Sequence, residues 1–237
     1  MRERVLELAS SDSRVVAGAV IGSLAHGEGD RWSDLDLTFA VSDSVALVRV
    51  LADWTRDLAA TVDAIQLFDL PSGPTTYRVF VLPGCLQLDL SFTPASAFGP
   101  GGPRFSLLFG SVAAAPEASA PTAHELFGLA VHHALRARFS IERGRAWQAE
   151  YWISGVRDQA LALACRKRDL ASAHGRGFDD LPDEVLDSFR DALVRSLECT
   201  ELRRALACAI AGLLRESTDV PELASKVEAQ LHELAFG

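Results

Sequence analysis

Two short apolar runs, Val15–Ile21 (VVAGAVI) and Leu35–Val41 (LDLTFAV), enclose a polar stretch that reads GSLAHGEGDRWSD. Runs of this length, bounded by glycine, serine and aspartate, predict buried strands. Successive side chains of a strand alternate between faces. Asp34 and Asp36 therefore share one face, while Leu35 and Leu37 point to the other, into a core. Gly22 and Ser23 follow the first run. Small residues there let backbone N–H groups approach a phosphate, and the positive end of a short following helix favours that charge. Two carboxylates converging beside a phosphate cradle form the donor set for Mg²⁺, which takes one or two carboxylates together with substrate phosphates.

A third acid fits the same pattern. In Cys85-Leu86-Gln87-Leu88-Asp89-Leu90-Ser91-Phe92, residues Gln87, Asp89 and Ser91 share one face and the leucines and Phe92 the other. Asp89 reaches the Asp34/Asp36 face if the two strands are neighbours. Asp63 and Asp69, on either side of Ala64–Phe68 (AIQLF), are weaker candidates for that place.

Gly22-Ser23, then residues 24–33, then Asp34-Leu35-Asp36 resembles the signature of the nucleotidyltransferase superfamily of DNA polymerase beta type. The match covers Gly22, Ser23, Ser33, Asp34 and Asp36. The resemblance implies a fold and a chemistry. The fold is an α+β catalytic domain, a mixed sheet backed by helices, over about residues 1–115. An all-α helical bundle over about residues 122–237 forms a substrate-binding, cleft-closing domain. The chemistry is Mg²⁺-dependent transfer of AMP from ATP to a hydroxyl, with release of pyrophosphate. Asp34, Asp36 and Asp89 hold metal, and Asp89 takes the acceptor's proton, with Glu150 in reserve. Gly22, Ser23 and Ser33 hold phosphates. Beside cations, the Asp89 carboxyl is expected to ionise readily. Size and plan look most like the aminoglycoside and lincosamide nucleotidyltransferases, so a small antibiotic is one acceptor class. The alternatives are a protein-modifying component of a toxin–antitoxin system and a non-catalytic nucleotide-binding regulator.

Charge narrows the partners. The chain has 237 residues and a formal net charge of −9. Binding long nucleic acid rests on many Lys/Arg–phosphate contacts, so this balance argues against it and suits a small cationic or neutral acceptor. Lysine occurs only as Lys167 and Lys226, and the excess of arginine over lysine reads as coding bias. Cys85, Cys165, Cys199 and Cys208 form no metal-ligand spacing and read as reduced core thiols of a cytoplasmic protein. No signal-peptide pattern or membrane-spanning apolar run is evident. Oligomeric state is open.

Along the chain, helical spacing covers residues 2–10. Ser44 is a candidate cap for a helix from Val45 to Ala60, with Leu47, Val48, Leu51, Trp54 and Leu58 on its apolar face. Strands are expected near Asp63–Phe68 and Tyr77–Leu82, with Pro83-Gly84 turning into the Asp89 strand. Residues 93–121, rich in proline, glycine and alanine, read as loop and linker. Beyond them helices are expected from Thr122 to Ile141, Arg145 to Arg168 and Pro182 to Leu197, with more to follow.

Several residues in the helical half carry candidate chemistry. Trp147, Glu150, Tyr151, Ser154, Arg157 and Asp158 lie near one helical stripe. That stripe suits either an acceptor or a base in a cleft, or ordinary packing with ion pairs on its rim. Arg176, in a glycine-rich loop, is a candidate phosphate contact, and Arg168 with His174 matches a loose pattern of toxin-associated helical domains. His124, His132 and His133 lack a partner at metal-ligand spacing. His26 lies within the signature loop.

Overall fold

The computed structural model describes residues 2–26, 33–100, 104–113 and 120–236, without the side chains of Ser23 and His26. Contacts divide the chain into two compact units, Met1–Ser119 and Ala120–Gly237. The first begins with α1 (Arg2–Ser11) and β1 (Val15–Ile21), then a single 3₁₀ turn, Gly22–His26, and β2 (Leu35–Val41). It continues through α2 (Leu47–Val62), β3 (Ile65–Ser72), β4 (Thr75–Leu82), β5 (Leu86–Pro94) and β6 (Phe105–Phe109).

The six strands form one sheet in the order β3-β4-β5-β2-β1-β6. Every pairing is antiparallel except β2 with β5. A parallel pair needs a long crossover, and here α2, β3 and β4 supply it. One sheet face carries Leu35, Leu37, Phe39, Leu88, Leu90 and Phe92, packed with Trp54 and Leu58 of α2. The rings of Phe39 and Phe92 each lie 5.0 Å from that of Trp54. The opposite face carries the acids.

Three expectations for this unit are corrected. Residues 93–121 hold a strand, β6, which pairs with β1 through Ile21↔Phe105 and Ala19↔Leu107. Phe105–Phe109 is short and sits in proline- and glycine-rich sequence, which masks its strand pattern. Ser44 does not cap α2. Ala46 holds the N-cap position without a side-chain bond, and Ser44 Oγ lies 2.9 Å from Ser42 Oγ instead. On the buried face of α2, Val50 takes the place assigned to Val48, which is 70% exposed.

A polar clasp ties the α1–β1 turn to α2. Asp12 accepts from Arg14 Nε and Nη2, both at 2.8 Å, and from Trp54 Nε1 at 2.9 Å, while Arg14 Nη1 donates to Asp53 at 2.7 Å. The Arg14 guanidinium holds the Asp12 carboxyl at about 2, against an ordinary 3.8, despite its burial. A depressed carboxyl stabilises the fold at every pH above its unfolded value, and that contribution is lost as pH falls through the folded value. We expect Asp12→Asn to cost about 2 kcal/mol at pH 7. Denaturant unfolding should show the gap between variant and parent closing between about pH 4 and pH 2.

The second unit comprises α3 (Ala123–Glu142), α4 (Ala146–Arg166), α5 (Asp183–Arg190), α6 (Cys199–Glu216) and α7 (Pro221–Phe236) around one apolar core. Thr122 starts α3 with a capping box. Its hydroxyl accepts from the Glu125 N–H, and the Glu125 carboxylate accepts from the Thr122 N–H. The helix expected from Pro182 to Leu197 stops at Arg190. Beyond it, Arg204 donates to the carbonyls of Asp191 and Leu193, and Glu201 accepts from the Arg195 N–H. Those side chains satisfy backbone groups that a longer helix would have bonded internally. Among the described residues, no helix is long and apolar enough to cross a membrane.

Candidate active site

The parallel register of β2 and β5 runs from Leu35↔Leu88 to Val41↔Pro94 and sets Asp36 directly opposite Asp89. Both point away from the Trp54 core, because their neighbours Leu35, Leu37, Leu88 and Leu90 fill it. Asp34 precedes β2 by one residue and shares the parity of Asp36. One carboxylate oxygen from each of the three acids lies within 4.8 Å of the others, and all three are half-buried.

Burial pushes the Asp89 carboxyl above its ordinary value, and the charge of Asp34 pushes the same way. The Gln87 amide opposes both, donating to the two carboxylate oxygens at 3.1 and 2.9 Å. In the protein alone Asp89 is thus raised, where the expectation beside cations was a low value. Three hard oxygen donors crowded together, one of them penalised for its charge, fit a divalent cation of the Mg²⁺ class. A carboxyl raised on folding lowers stability as pH rises from its unfolded to its folded value. In metal-free buffer Asp89→Asn should therefore melt higher than the parent at neutral pH. The difference should vanish below the unfolded value of 3.8. Thermal unfolding with a chelator present, at both pH values, measures it.

The two other acids considered for the third place are elsewhere. Asp69, on edge strand β3, is held by Arg78 at 2.6 Å. Arg78 also donates to the Leu51 carbonyl on the helix face of the sheet. Asp63 is the C-cap of α2 with φ of 53°.

Gly22 closes the site differently from expectation. Its N–H donates to the Arg104 carbonyl at 3.2 Å, so that group is committed to the β1–β6 edge and not to a phosphate. What Gly22 supplies is an absent side chain. Its φ is +73°, and a Cβ there would stand 2.4 Å from Asp36 Oδ2. Ser33 directly precedes Asp34. The Ser23 hydroxyl, expected near phosphate, and the ring of His26 in the signature loop belong to side chains outside those described.

In the helical unit, Trp147 and Tyr151 are 77% and 66% exposed, so they are not core residues. Glu150 accepts from Ser154 at 2.8 Å, and Arg157 pairs with Asp158 at 2.8 Å. His132 and His133 pack against Trp152, with ring centroids at 6.0 and 5.1 Å. Arg168 donates to the Ala164 carbonyl and faces Glu216 at 3.7 Å, which gives it a structural role. His174 has φ of 56° in a turn, and Arg176 beside it is exposed. The neighbouring Gly177 carbonyl accepts from the Cys165 thiol, so this loop is packed onto α4. Of the four cysteines expected in the core, Cys165 is buried, Cys208 is partly buried, and Cys85 and Cys199 are exposed.

No family model matches the chain, and no curated protein matches it in sequence. Among solved structures it is similar to an aminoglycoside 6-adenyltransferase from Bacillus subtilis, at 12% identity and a TM-score of 0.43. That similarity covers 100% of this chain and 98% of the other.

Proposed function

We propose that the chain is a nucleotidyltransferase that moves AMP from ATP to a hydroxyl of a small molecule and releases pyrophosphate. The observation that carries this reading is the β2–β5 register, which brings Asp89 to Asp36 and completes a three-carboxylate cluster with Asp34. The resemblance of Gly22 to Asp36 to the superfamily signature supports it from the sequence side.

Asp34, Asp36 and Asp89 would hold Mg²⁺, which when bound neutralises phosphate charge and stabilises the leaving pyrophosphate. Asp89 accepts the proton of the acceptor hydroxyl. The acceptor oxygen bonds to the α-phosphorus as the bond from that phosphorus to the bridging oxygen breaks. Pyrophosphate leaves with the electron pair. Gln87 holds the Asp89 carboxylate in place, and the bare Gly22 backbone leaves Asp36 room to face the nucleotide. Ser23 and Ser33 stand as candidate phosphate contacts.

Mass spectrometry after incubation with Mg²⁺, ATP and a broad panel of small hydroxyl compounds, with aminoglycosides, lincosamides and neutral alcohols among them, tests this. A panel compound gaining one AMP residue is the expected result. AMP found on protein, or no product with ATP bound, would overturn small-molecule transfer in favour of a protein-modifying or regulatory role.

A further inference from the structure

The face of the sheet that carries the acids does not end at Asp89. Register continues it across two more strands: Asp89 pairs with Val79 of β4, and Val79 pairs with Phe68 of β3. The next row pairs Ser91 with Tyr77 and Tyr77 with Leu70. Directly paired residues of neighbouring strands share a face. Val79, Phe68, Tyr77 and Leu70 therefore stand on the same face as the carboxylate cluster. Alternate residues Arg78 and Phe80 point to the other side, where Arg78 bonds to α2. Phe68 and Leu70 are 54% and 57% exposed and Tyr77 36%. Strands lie about 4.8 Å apart, so Phe68 stands about 10 Å from Asp89 across the sheet.

The far side of the cluster differs. Gly22 abuts Asp36 from the β1 side, and there the same face is covered by Phe98 and Phe105 packed on Ala17, Ala19 and Ala40. With the β1 side of that face covered, the open approach to Asp89 lies on its other side. That approach runs over β5 toward β4 and β3, across an apolar surface without a charged side chain at Val79, Phe68, Tyr77 or Leu70.

We infer that the exposed Phe68, Leu70 and Tyr77, with the buried Val79 beneath them, form the acceptor platform, and that the acceptor carries an aryl or branched-alkyl group about 10 Å from its reacting hydroxyl. A polycation is the wrong class for this surface. The inference rests on the proposed AMP transfer and names the acceptor class for that same site.

The test uses the full chain with Mg²⁺, ATP and two sets of acceptors, read by mass gain of one AMP residue. One set is neutral alcohols bearing an aryl or branched-alkyl group at that reach, and the other is aminoglycosides. Products from the first set are expected. Phe68→Ser should raise the KM of the best of them about tenfold or more, with the KM for ATP unchanged. Val48→Ser, an exposed apolar change on α2, should alter neither. Products from aminoglycosides alone, or an unchanged acceptor KM in Phe68→Ser, would overturn the inference and leave AMP transfer standing. AMP transfer to neither set, with Asp36→Asn failing to change ATP binding, would overturn both.

Discussion

Asp36→Asn should lower AMP transfer by about a thousandfold or more while leaving the fold and melting behaviour of the first unit intact. The size follows from position. Asp36 is the central acid of the cluster, opposite Asp89 across the parallel pair and next to Gly22. Asparagine keeps the shape and removes one of the cluster's three charges, so the loss falls on the cation and hence on the nucleotide. Core packing is untouched, because Leu35 and Leu37 point the other way. The amide keeps the carboxylate's shape, so the fold should hold as activity collapses. Initial rates with saturating ATP, beside a thermal melt of the same preparation, test both halves. A variant that loses activity because it unfolds would contradict the account.

Gly22→Ala should damage the candidate site beyond what it costs the fold. Two effects combine. The backbone at φ of +73° strains any residue with a Cβ, at about 1–2 kcal/mol. The new methyl would also stand 2.4 Å from Asp36 Oδ2, so the carboxylate must swing away from the cluster. Gly84→Ala separates the two. Gly84 has φ of +81° with nothing within 4 Å of its built Cβ, so it carries the strain without the collision. Both variants should melt lower than the parent. Only Gly22→Ala should weaken Mg²⁺-dependent nucleotide binding, by about tenfold or more. Calorimetric titration of the two variants side by side gives the comparison.

Much of this was legible in the sequence because the informative elements are short, apolar and sharply bounded. Val15–Ile21 and Leu35–Val41 appear as strands with the boundaries their composition marks, and Thr122 marks the start of α3. Asp34 and Asp36 share a face by strand parity alone. That Asp89, and not Asp63 or Asp69, joins them depends on β5 running parallel to β2. This is a long-range pairing that no local pattern encodes. β6 was hidden for a related reason: five residues between proline and glycine become a strand because the β1 edge is there to receive them. The Gly22 N–H followed suit, since only the arrival of β6 supplies the Arg104 carbonyl that takes it. The apolar platform on β3 and β4 was visible as strand-forming sequence. Its exposure was not, because alternation does not say which face a helix covers.

The central claim is that Asp34, Asp36 and Asp89 together hold a divalent cation that binds nucleotide. Its most direct test is calorimetric titration with an ATP analogue whose α–β bridge cannot be cleaved, with and without Mg²⁺. The account predicts binding that requires Mg²⁺ and is lost in both Asp36→Asn and Asp89→Asn. Binding of equal strength without Mg²⁺, or unchanged in those two variants, would contradict it.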